Sequence, residues 1–492
     1  MKVLLIMPYN CDLIHAVSLP TGILSIATYL RANGHDAKIC DLSVTHCDIK
    51  KECEKYAPDI IGISMCSVKH MDGAVHITKK LKGFGVPIVW GGPFCDVFDP
   101  LLILRDGKAD YISFSEGEAT WLDIMTRLEN NISLDDCPGL AYLRDGKVVR
   151  TADREFVDLS FLPELDFSLI DVKLYRQYLY GCENLVYVYM SKGCPAHCTF
   201  CANQLSHRCT YRRRSVEKFM NEISVLVKDY GVDGLYFSDE VFCLTKAEFY
   251  EMCDVFDAAG LGFRWGFQTR VGILGKEEFE RAYRSGARWV DFGIESGNKE
   301  QLREMKKGIP YDMIEPTFEW CSQAGLISLA NFIIGLPGET EEQLKDTVDL
   351  AARIKSTQCS FFKYCYSPLM EMGKKAETIH PVKYPAKKLS DFAKIDFFHC
   401  RADNFSHIPV KELDVIQSFY LWNAIFKKDY GEKTHIYDLF FKHILTLLKR
   451  ISYLNPRCAV NSLFELAYLF IRFFLDTHFH PKICKKYGLK KS

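Results

Sequence analysis

Short apolar runs alternate with amphipathic stretches over the first 140 residues of the chain. Five runs have the length and the flanking residues of buried strands: Lys2–Met7, Ala37–Asp41, Ile60–Ser64, Val86–Trp90 and Tyr111–Phe114. Leu24–Asn33 repeats apolar residues at helical spacing and stops at Gly34. Strands that alternate with helices predict a doubly wound, Rossmann-like parallel sheet, which binds ligands at the carboxyl ends of its strands.

A second series of alternating strands and helices begins at residue 184. Its six predicted strands are Asn184–Met190, Gly234–Phe237, Arg264–Gln268, Trp289–Gly293, Ser328–Ile334 and Ser360–Tyr366. Helical stretches such as Val216–Tyr230 and Glu341–Ile354 lie between them. Six βα units in about 190 residues predict a partial (β/α)6 barrel with its chemistry at the strand carboxyl ends.

These two series divide the chain into four predicted segments. Residues 1–140 form the first sheet, 141–185 a connector, 186–385 the barrel and 386–492 a C-terminal region. The connector is rich in turn residues and holds a small predicted hairpin, Leu140–Leu143 with Val148–Arg150. The C-terminal region has a mostly helical pattern, in Val415–Lys427, Ile436–Ile451 and Val460–Phe474.

Composition indicates a globular protein of the reducing cytoplasm. The chain has 492 residues, of which 48% are hydrophobic and 25% charged, and it is too long for a single core. Its 20 cysteines are scattered, and the apolar run at the start is too short for a signal peptide. We therefore expect free thiols rather than a disulfide scaffold. No apolar run reaches about 18 residues, so no transmembrane helix is expected.

Charge is balanced overall but is unevenly distributed. The chain has 62 Lys and Arg against 63 Asp and Glu, which is not the pattern of a nucleic-acid-binding protein. From Phe440 onward ten basic residues, such as Lys442, Lys449, Arg450 and Arg457, stand against two acidic ones. The alternatives for this region are helices packed in a core, a basic pocket for an acidic substrate and, as a minority alternative, docking on a membrane surface.

Three cysteines follow the first predicted barrel strand at close spacing. Cys194, Cys198 and Cys201 form the pattern C-x3-C-x2-C. Thiolates are the usual ligands of iron–sulfur clusters, and three of them hold three irons of a cubane and leave the fourth open to a ligand. Chance spacing in a cysteine-rich chain and a zinc site are the alternatives, although no second cysteine or histidine pair lies nearby to complete a zinc site.

Charged residues follow several barrel strands directly. Asp239 and Glu240 suit an ammonium partner at the barrel mouth. Arg270 suits either a ligand carboxylate or a neighbouring acid, and Glu295 either a salt bridge or a ligand. For the run Arg212–Arg214 a solvated charged surface is the expectation.

The cysteine loop and the segments after it resemble the radical S-adenosylmethionine (SAM) superfamily. The similar blocks follow in order: Cys194–Cys201 with Phe200, Phe237–Glu240, Phe267–Arg270, Gly293–Gly297 with Met305–Gly308, and Gly335–Thr340. The resemblance implies a [4Fe–4S] cluster on the three cysteines, with SAM on the open iron. It also implies SAM contacts at Phe200, Asp239, Glu240, Arg270, Glu295 and Ser296.

The N-terminal part is similar to the cobalamin-binding domain of cobalamin-dependent radical SAM enzymes. The similar segments are Pro20–Gly22 with Tyr29–Leu30, Pro58–Ser64, Gly91–Pro93 and Glu116–Glu118. The resemblance implies cobalamin contacts at Pro8, Gly22, Ser64, Gly91, Gly92, Pro93, Glu116, Gly117 and Glu118. The pattern Asp-x-His-x-x-Gly, whose histidine binds cobalt in some cobalamin proteins, is missing, since Asp12 and His15 have the wrong spacing.

Several of these cobalamin positions also have simpler explanations. Gly91 and Gly92 could only end a strand, and Ser64 could only cap a helix. Glu116 and Glu118 could be acidic residues of a helix N-terminus.

The resemblance implies radical chemistry on a small-molecule or peptide substrate. The expected activity is methylation of an unactivated carbon or phosphorus centre, using a deoxyadenosyl radical and methylcobalamin. The alternatives are ring formation or rearrangement with the same cofactors, and a cluster-bearing sensor without turnover. An external electron donor such as flavodoxin or ferredoxin is an expected partner.

Overall fold

The computed structural model of the chain describes residues 1–9, 18–45, 47–67, 70–379, 404–426 and 480–489. Within these ranges it contains two seven-stranded sheets and a two-stranded ribbon. The predicted α/β class, with a parallel N-terminal sheet and a partial barrel, is confirmed. The predicted helices Ile436–Ile451 and Val460–Phe474 lie outside the described residues, as do Lys442, Lys449, Arg450 and Arg457.

The N-terminal sheet has the strand order β2-β1-β3-β4-β5-β6-β7, and its first five strands are parallel. The strands are β1 (Lys2–Met7), β2 (Asp36–Asp41), β3 (Ile60–Ser64), β4 (Ile88–Gly91), β5 (Tyr111–Ser113), β6 (Leu140–Arg144) and β7 (Lys147–Arg150). The order changes direction between β1 and β3, and such a point leaves a crevice at the strand carboxyl ends.

Helices cover both faces of this sheet. They are α1 (Thr21–Ala32), α2 (Ile49–Tyr56), α3 (Met71–Leu81), α4 (Pro93–Val97), α5 (Pro100–Gly107) and α6 (Glu118–Glu129). In β1, Leu4 and Ile6 belong to the core under α2, α3 and α5, whereas Val3 and Leu5 belong to the core under α1 and α6. Because both faces are buried, these strands are continuous apolar runs in the sequence.

The hairpin of the predicted connector extends the N-terminal sheet. β6 pairs antiparallel with β5, with Ala141 opposite Ile112, and β7 pairs with β6. Leu140 and Ala141 are fully buried in the two cores of the sheet. The sheet therefore continues to Arg150. The boundaries of the four segments predicted from the sequence stay predictions.

The second large sheet has the order β16-β15-β14-β13-β12-β9-β8. All of its strands except β8 are parallel to one another. A ribbon of β10 (Ser191–Lys192) and β11 (Arg212–Arg213) lies beside it. The strands of the sheet are β8 (Gln177–Leu179), β9 (Cys182–Val188), β12 (Gly234–Phe237), β13 (Arg264–Thr269), β14 (Ala287–Glu295), β15 (Ile327–Ile334) and β16 (Gln358–Lys363). β8 and β16 do not pair, so the barrel is open.

Helices pack against the outer face of this partial barrel and extend beyond it. They are α7 (Asn203–Ser206), α8 (Val216–Lys228), α9 (Lys246–Ala259), α10 (Lys276–Arg284), α11 (Lys299–Glu304), α12 (Ile314–Ala324), α13 (Glu341–Arg353), α14 (Glu371–Ile379), α15 (Val410–Phe426) and α16 (Pro481–Lys486). Phe237, Phe267, Phe292 and Phe332 point outward into the core with the helices. Their neighbours on the strands therefore point into the barrel.

Buried polar contacts join the two halves of the molecule. Tyr175 donates a hydrogen bond to Asp41 at 2.8 Å, and Ser367, just after β16, donates to the carbonyl of Val97 at 2.8 Å. The carboxyl ends of the N-terminal strands thus lie against the barrel. No helix in the described part of the chain is long and apolar enough to span a membrane.

Candidate active site

The loop with the three cysteines is held by hydrogen bonds from its own side chains. The Asn203 amide accepts from the backbone N–H of Cys194 at 3.1 Å and donates to the Cys194 carbonyl at 2.6 Å. Gln204 donates to the carbonyl of Cys198 at 2.5 Å. Gly193 starts the loop with φ +85, and a Cβ there would lie 2.1 Å from the carbonyl oxygen of Thr210, so the crossing of these two backbone segments requires glycine.

The three cysteines line one cavity of about 450 Å³ at the barrel mouth. Four of the six residues predicted to contact SAM line the same cavity: Phe200, Glu240, Arg270 and Glu295. The other two do not line it. The hydroxyl of Ser296 is fully buried and donates to Gln301 at 2.6 Å, and Asp239 is only 1% exposed.

Asp239 and Glu240 are adjacent in sequence but have different surroundings. Asp239 Oδ1 accepts three hydrogen bonds of 2.5–3.0 Å from the backbone of Met190 and from the backbone and hydroxyl of Ser191. Burial raises the pKa of Asp239 to about 7 although Ser191 donates to it. This geometry indicates that Asp239 positions the backbone that leads into the cysteine loop. Contact between Asp239 and SAM stays a prediction.

Glu240 faces the cavity and also supports the cysteine loop. Its Oε2 accepts from the N–H of Gly193 at 2.9 Å, and its Oε1 lies 3.5 Å from Nε2 of His207. Burial opposes the charge of Glu240, but the hydrogen bond and positive charge of His207 outweigh burial and lower the pKa of Glu240. Glu240 is therefore an ionised carboxylate at the cavity wall, which suits an ammonium group.

Two cations lie beside the cysteines. Arg270 Nη1 is 3.7 Å from the sulfur of Cys198, and its other terminal nitrogen donates to the carbonyl of Lys307. The ammonium of Lys307 lies 2.7 Å from Glu295 and 6.0 Å from the ring centre of Phe200. Lys307 belongs to Met305–Gly308, one of the segments that resemble the radical SAM superfamily, but the sequence predicted no role for it. The structure places Lys307 in the cavity wall.

Glu295 ends β14 in a strained backbone conformation. Its φ is +71, and the register with β15 shifts between Gly293 and Glu295, as in a β-bulge. A non-glycine residue in this region costs about 1–3 kcal/mol, and such strain is concentrated at functional sites. The bulge directs the Glu295 carboxylate into the cavity, where it meets Lys307.

The residues present fit a [4Fe–4S] cluster and SAM. Burial raises the pKa of Cys194 and, to about 11, that of Cys201, so cations such as Arg270 and Lys307 are needed to stabilise their thiolates. Within the described ranges no three His, Cys, Asp or Glu side chains converge as a single ion would require, but thiolates that each hold a different iron need not converge. The buried hydroxyls of Thr269 and Tyr364, which also line the cavity, have no hydrogen-bond partner among the described residues.

Polar side chains continue deeper into the barrel than the predicted site. Asp291 lines the cavity and accepts hydrogen bonds from the hydroxyl of Tyr236 at 2.9 Å and from the amide of Asn331 at 2.7 Å. Lys363, also in the lining, pairs with Asp414 of α15. Sequence analysis missed this group, although Asp291 was a visible signal as the one acid of the predicted strand Trp289–Gly293.

The strand order leaves a second cleft at the carboxyl ends of the N-terminal strands. Ser64, Gly91 and Gly92 are partly exposed there, Pro8 follows β1, and Pro93 begins α4. Ser113, at the end of β5, lies beside Gly91, and its buried hydroxyl has no hydrogen-bond partner within the part of the chain that the structure describes. Small residues together with an unpaired hydroxyl fit a large planar ligand with polar side groups.

The two glycines of this cleft differ in their surroundings. A Cβ at Gly91 would only touch Ser113 at 3.5 Å, whereas Gly92 has φ +103 and its Cβ would lie 2.9 Å from the carbonyl oxygen of Met65. The chain's own backbone therefore requires glycine at position 92. Gly22 is exposed, with nothing near its missing Cβ. Asp12 and His15 lie outside the described residues.

Glu116 and Glu118 bind cations of the barrel. Glu116 accepts hydrogen bonds from Arg212 and contacts His207, and Glu118 accepts from Lys192 at 2.9 Å and from Ser25 at 2.6 Å. Gly117 lies between them, and its Cβ would meet the flexible end of Ile26 at 2.4 Å. Both carboxylates therefore link the two halves of the molecule, and cobalamin contact by Glu116, Gly117 or Glu118 stays a prediction.

The expectation of a solvated surface for Arg212–Arg214 is wrong. Arg212 pairs with Glu116, Arg213 lies 2.8 Å from Glu251, and Arg214 is buried in a pair with Glu222. None of the three side chains is more than 20% exposed. The partners of Arg212 and Arg213 come from distant segments, which a local charge pattern does not reveal.

Comparison with known protein families matches both halves of the chain. The model of the radical SAM superfamily matches residues 188–351, and that of the B12 binding domain matches residues 14–124. The chain therefore carries a radical SAM domain together with a B12 binding domain. Its cofactors are a [4Fe–4S] cluster, SAM and cobalamin.

Similar proteins include two curated relatives and a solved structure. A protein of Pyrococcus horikoshii named an uncharacterized methyltransferase is 29% identical over 374 residues, which cover 73% of this chain and 80% of the relative. The anaerobic magnesium-protoporphyrin IX monomethyl ester cyclase of Rubrivivax gelatinosus is 27% identical over 386 residues, 74% and 68% of the two chains. The methyltransferase TsrM from Kitasatospora setae, solved with tryptophan and a SAM analogue, has the same fold at a TM-score of 0.67 and 18% identity, covering 80% of this chain and 82% of TsrM.

Proposed function

We propose that this enzyme transfers a methyl group to an unactivated carbon or phosphorus centre of a small molecule. The observation that carries the proposal is the shared wall of the cavity. Cys365, which follows β16, lines the cavity with the three cysteines and also packs against the core of the cobalamin-binding half. The wall of the chamber that holds the three cysteines therefore rests directly on the cobalamin-binding half of the chain.

Two relatives support transfer of a methyl group. The P. horikoshii protein and TsrM both carry the name of methyltransferase, and TsrM was solved with tryptophan, a small molecule, as its substrate. When bound, the cluster and SAM supply a deoxyadenosyl radical, and cobalamin supplies a carrier for the methyl group.

The residues of the chain have separate roles in this proposal. Cys194, Cys198 and Cys201 would hold the cluster, and Glu240 would bind the SAM ammonium group. Arg270 would bind the SAM carboxylate, with Glu295 and Phe200 beside it. Ser64, Gly91, Gly92 and Ser113 would border cobalamin, and an external one-electron donor such as flavodoxin or ferredoxin would reduce the cluster. Apolar side chains of the lining, such as Phe362 and Ile333, would limit the access of water to the chamber.

The test uses the reconstituted enzyme with all three cofactors. It is reduced without oxygen and incubated with SAM carrying a deuterated methyl group and a small-molecule extract of the host. We expect a product that carries one deuterated methyl group in place of a hydrogen. We also expect 5′-deoxyadenosine and S-adenosylhomocysteine in similar amounts, because methyl donation and radical formation each consume one SAM.

Oxidative ring formation is the second candidate, because the R. gelatinosus relative is named a cyclase. That reaction also yields 5′-deoxyadenosine, but it needs no methyl donor. Consumption of a host compound with 5′-deoxyadenosine, without S-adenosylhomocysteine and without a gain of methyl mass, would contradict methyl transfer and favour the cyclase.

A further inference from the structure

A row of polar side chains from neighbouring strands lies on the inside of the barrel. Each of five neighbouring strands contributes one residue: Tyr236 from β12, Gln268 from β13, Asp291 from β14, Asn331 from β15 and Lys363 from β16. Gln268 is the direct neighbour of Asp291 in the sheet. The interior of a barrel is normally filled by apolar side chains, so this row needs an explanation.

Asp291 is the centre of this row and faces the cavity. Its two oxygens each accept one side-chain hydrogen bond, from Tyr236 and from Asn331. The backbone N–H of Phe292 also favours its charge, and all three donors are neutral. Across the described residues no Lys, Arg or His side chain forms an ion pair with Asp291. Asp291 is partly exposed, toward the cavity that it lines. A carboxylate removed from bulk water is normally paired with a cation or fully hydrogen-bonded, and each of these oxygens can accept a further bond.

The neighbouring charges leave the negative charge of Asp291 uncompensated. Lys363 is paired with Asp414, and Lys307 is paired with Glu295. Burial raises the pKa of Asp291 to about 6, and the charge of Glu295 adds to this effect. A donor or cation at this position would satisfy the carboxylate, whereas an anion would be repelled.

The depth of Asp291 separates it from the predicted cofactor contacts. It lies four residues before Glu295 on β14, which corresponds to roughly 13 Å along a strand. Glu240, Arg270 and Glu295, the predicted SAM contacts of the cavity, lie at or after strand ends.

We propose that Asp291, held by Tyr236 and Asn331, binds a hydroxyl or protonated amine of the substrate at the inner end of the cavity. The proposal rests on the function proposed above, and it narrows the substrate class to small molecules that present a hydrogen-bond donor rather than a carboxylate or phosphate at this end. Gln268 and Asn331 add amide groups that can pair with the oxygen or nitrogen next to that donor.

The experiment measures binding of three matched probes to the intact protein. The probes are n-butylammonium, 1-butanol and butyrate, which differ in the group that they present. The protein carries its cluster and cobalamin, is saturated with SAM so that the SAM site is filled, and is kept anaerobic without reductant. Affinities are measured by ligand-observed NMR titration. We expect binding of n-butylammonium, of 1-butanol or of both, and exclusion of butyrate.

Two variants locate the binding. Asp291→Asn keeps the shape of the side chain and should weaken n-butylammonium binding roughly tenfold or more, because hydrogen bonds to charged groups are the strong ones. Asp312→Asn, at an exposed aspartate whose side chain is 88% accessible, is the matched control and should change nothing. If n-butylammonium does not bind but 1-butanol does, the substrate donor is a hydroxyl, and the same loss is expected for 1-butanol.

Three results would overturn the proposal: no probe binding to the wild-type protein, equal binding of butyrate, or unchanged affinity in Asp291→Asn. If that variant loses its iron and does not fold, the wild-type probe series decides alone. Iron content, SAM binding and cobalamin binding are measured on the same samples. Intact probe selectivity without a methylated product would therefore contradict the proposed function only, whereas methylation without probe selectivity would contradict only the role of Asp291.

Discussion

The ammonium of Lys192 lies 2.9 Å from a carboxylate oxygen of Glu118. Lys192 belongs to the ribbon just before the cysteine loop, and Glu118 begins α6 of the cobalamin-binding half. The two side chains are only 15% and 3% exposed. Burial opposes the charge of Glu118, but Lys192 and Ser25 outweigh burial and lower its pKa. The pair therefore joins the cysteine loop electrostatically to the other half of the molecule.

Replacing Lys192 by Met should destabilise the protein by about 3–5 kcal/mol, because it leaves Glu118 as an unpaired buried charge. The measurement is the urea midpoint of the first unfolding transition. Lys299→Met is the control, since Lys299 and Asp312 are 65% and 88% exposed and their pair should contribute less than about 1 kcal/mol. The double variant Lys192→Met/Glu118→Gln should recover much of the loss. Equal midpoints for the two lysine variants would show that the pair does not hold the halves together.

Replacement of Cys194, Cys198 and Cys201 together by Ala should abolish both the cluster and cleavage of SAM. The reconstituted wild-type protein should hold about four irons, and the triple variant almost none. Cys209→Ala is the matched control, because Cys209 lies in the same connecting segment but does not line the cavity. Iron and sulfide content are measured together with 5′-deoxyadenosine formation. A triple variant that still cleaves SAM would exclude these cysteines as ligands.

Arg270→Gln should make the cluster harder to reduce. The guanidinium lies 3.7 Å from the sulfur of Cys198, and its charge favours the extra electron. At an effective dielectric constant of about 20, loss of a unit charge about 4 Å away costs up to about 4 kcal/mol. For one electron that corresponds to a potential up to about 170 mV more negative. The potential is measured by an EPR-monitored redox titration without SAM, with the exposed Arg284→Gln as control. An unchanged potential would mean that Arg270 does not act on the cluster.

The two glycines of the N-terminal cleft should behave differently when replaced. Gly91→Leu should weaken hydroxocobalamin binding about tenfold or more, with little change in the melting temperature of the cobalamin-free protein, because Gly91 has room on the chain's own side. Gly92→Ala should lower that melting temperature itself, because residue 92 has φ +103 and lies against Met65. Binding is followed by the visible spectrum of cobalamin. If Gly91→Leu binds cobalamin as the wild type does, the ring does not lie over Gly91.

His207 should make the stability depend on pH in the alkaline range. Burial opposes its charge, but Glu116 and Glu240 outweigh burial and raise its pKa to about 9. Because this pKa is raised above the ordinary value of 6.5, the stabilisation is complete below about pH 6.5 and is lost as the pH rises through about 9. The difference in melting temperature between wild type and His207→Gln should therefore shrink between pH 6 and pH 10. A difference that stays constant would exclude the charged imidazole as its source.

Strands were the part of the fold that sequence patterns predicted best. Lys2–Met7, Ile60–Ser64 and Gly234–Phe237 have the predicted bounds, because parallel strands buried on both faces are apolar along their whole length. β8 and the ribbon of β10 and β11 were missed, since each is only two or three residues long and pairs at an edge. Such strands depend on their neighbours rather than on a local pattern.

Pairing across the molecule was the part of the site that sequence could not show. The position of Glu240 directly after a strand placed it at the cavity, but its contact with His207 depends on the fold of the loop. Arg212 is 96 residues from Glu116, and no local feature of either residue predicts their hydrogen bonds. Asp291 was visible as the one acid of a predicted strand, but its side-chain donors come from two other strands.

The segment after β16 has to suit two domains at once. Cys365 belongs to the wall of the barrel cavity and to the packing of the N-terminal core, and Ser367 bonds to the backbone of Val97. An exchange of cobalamin-binding domains between relatives would therefore have to carry residues 364–368 along with the donated domain. In natural proteins whose two domains were joined independently, residues 364–368 should change together with the N-terminal domain. The barrel helices far from this contact could vary independently of that domain.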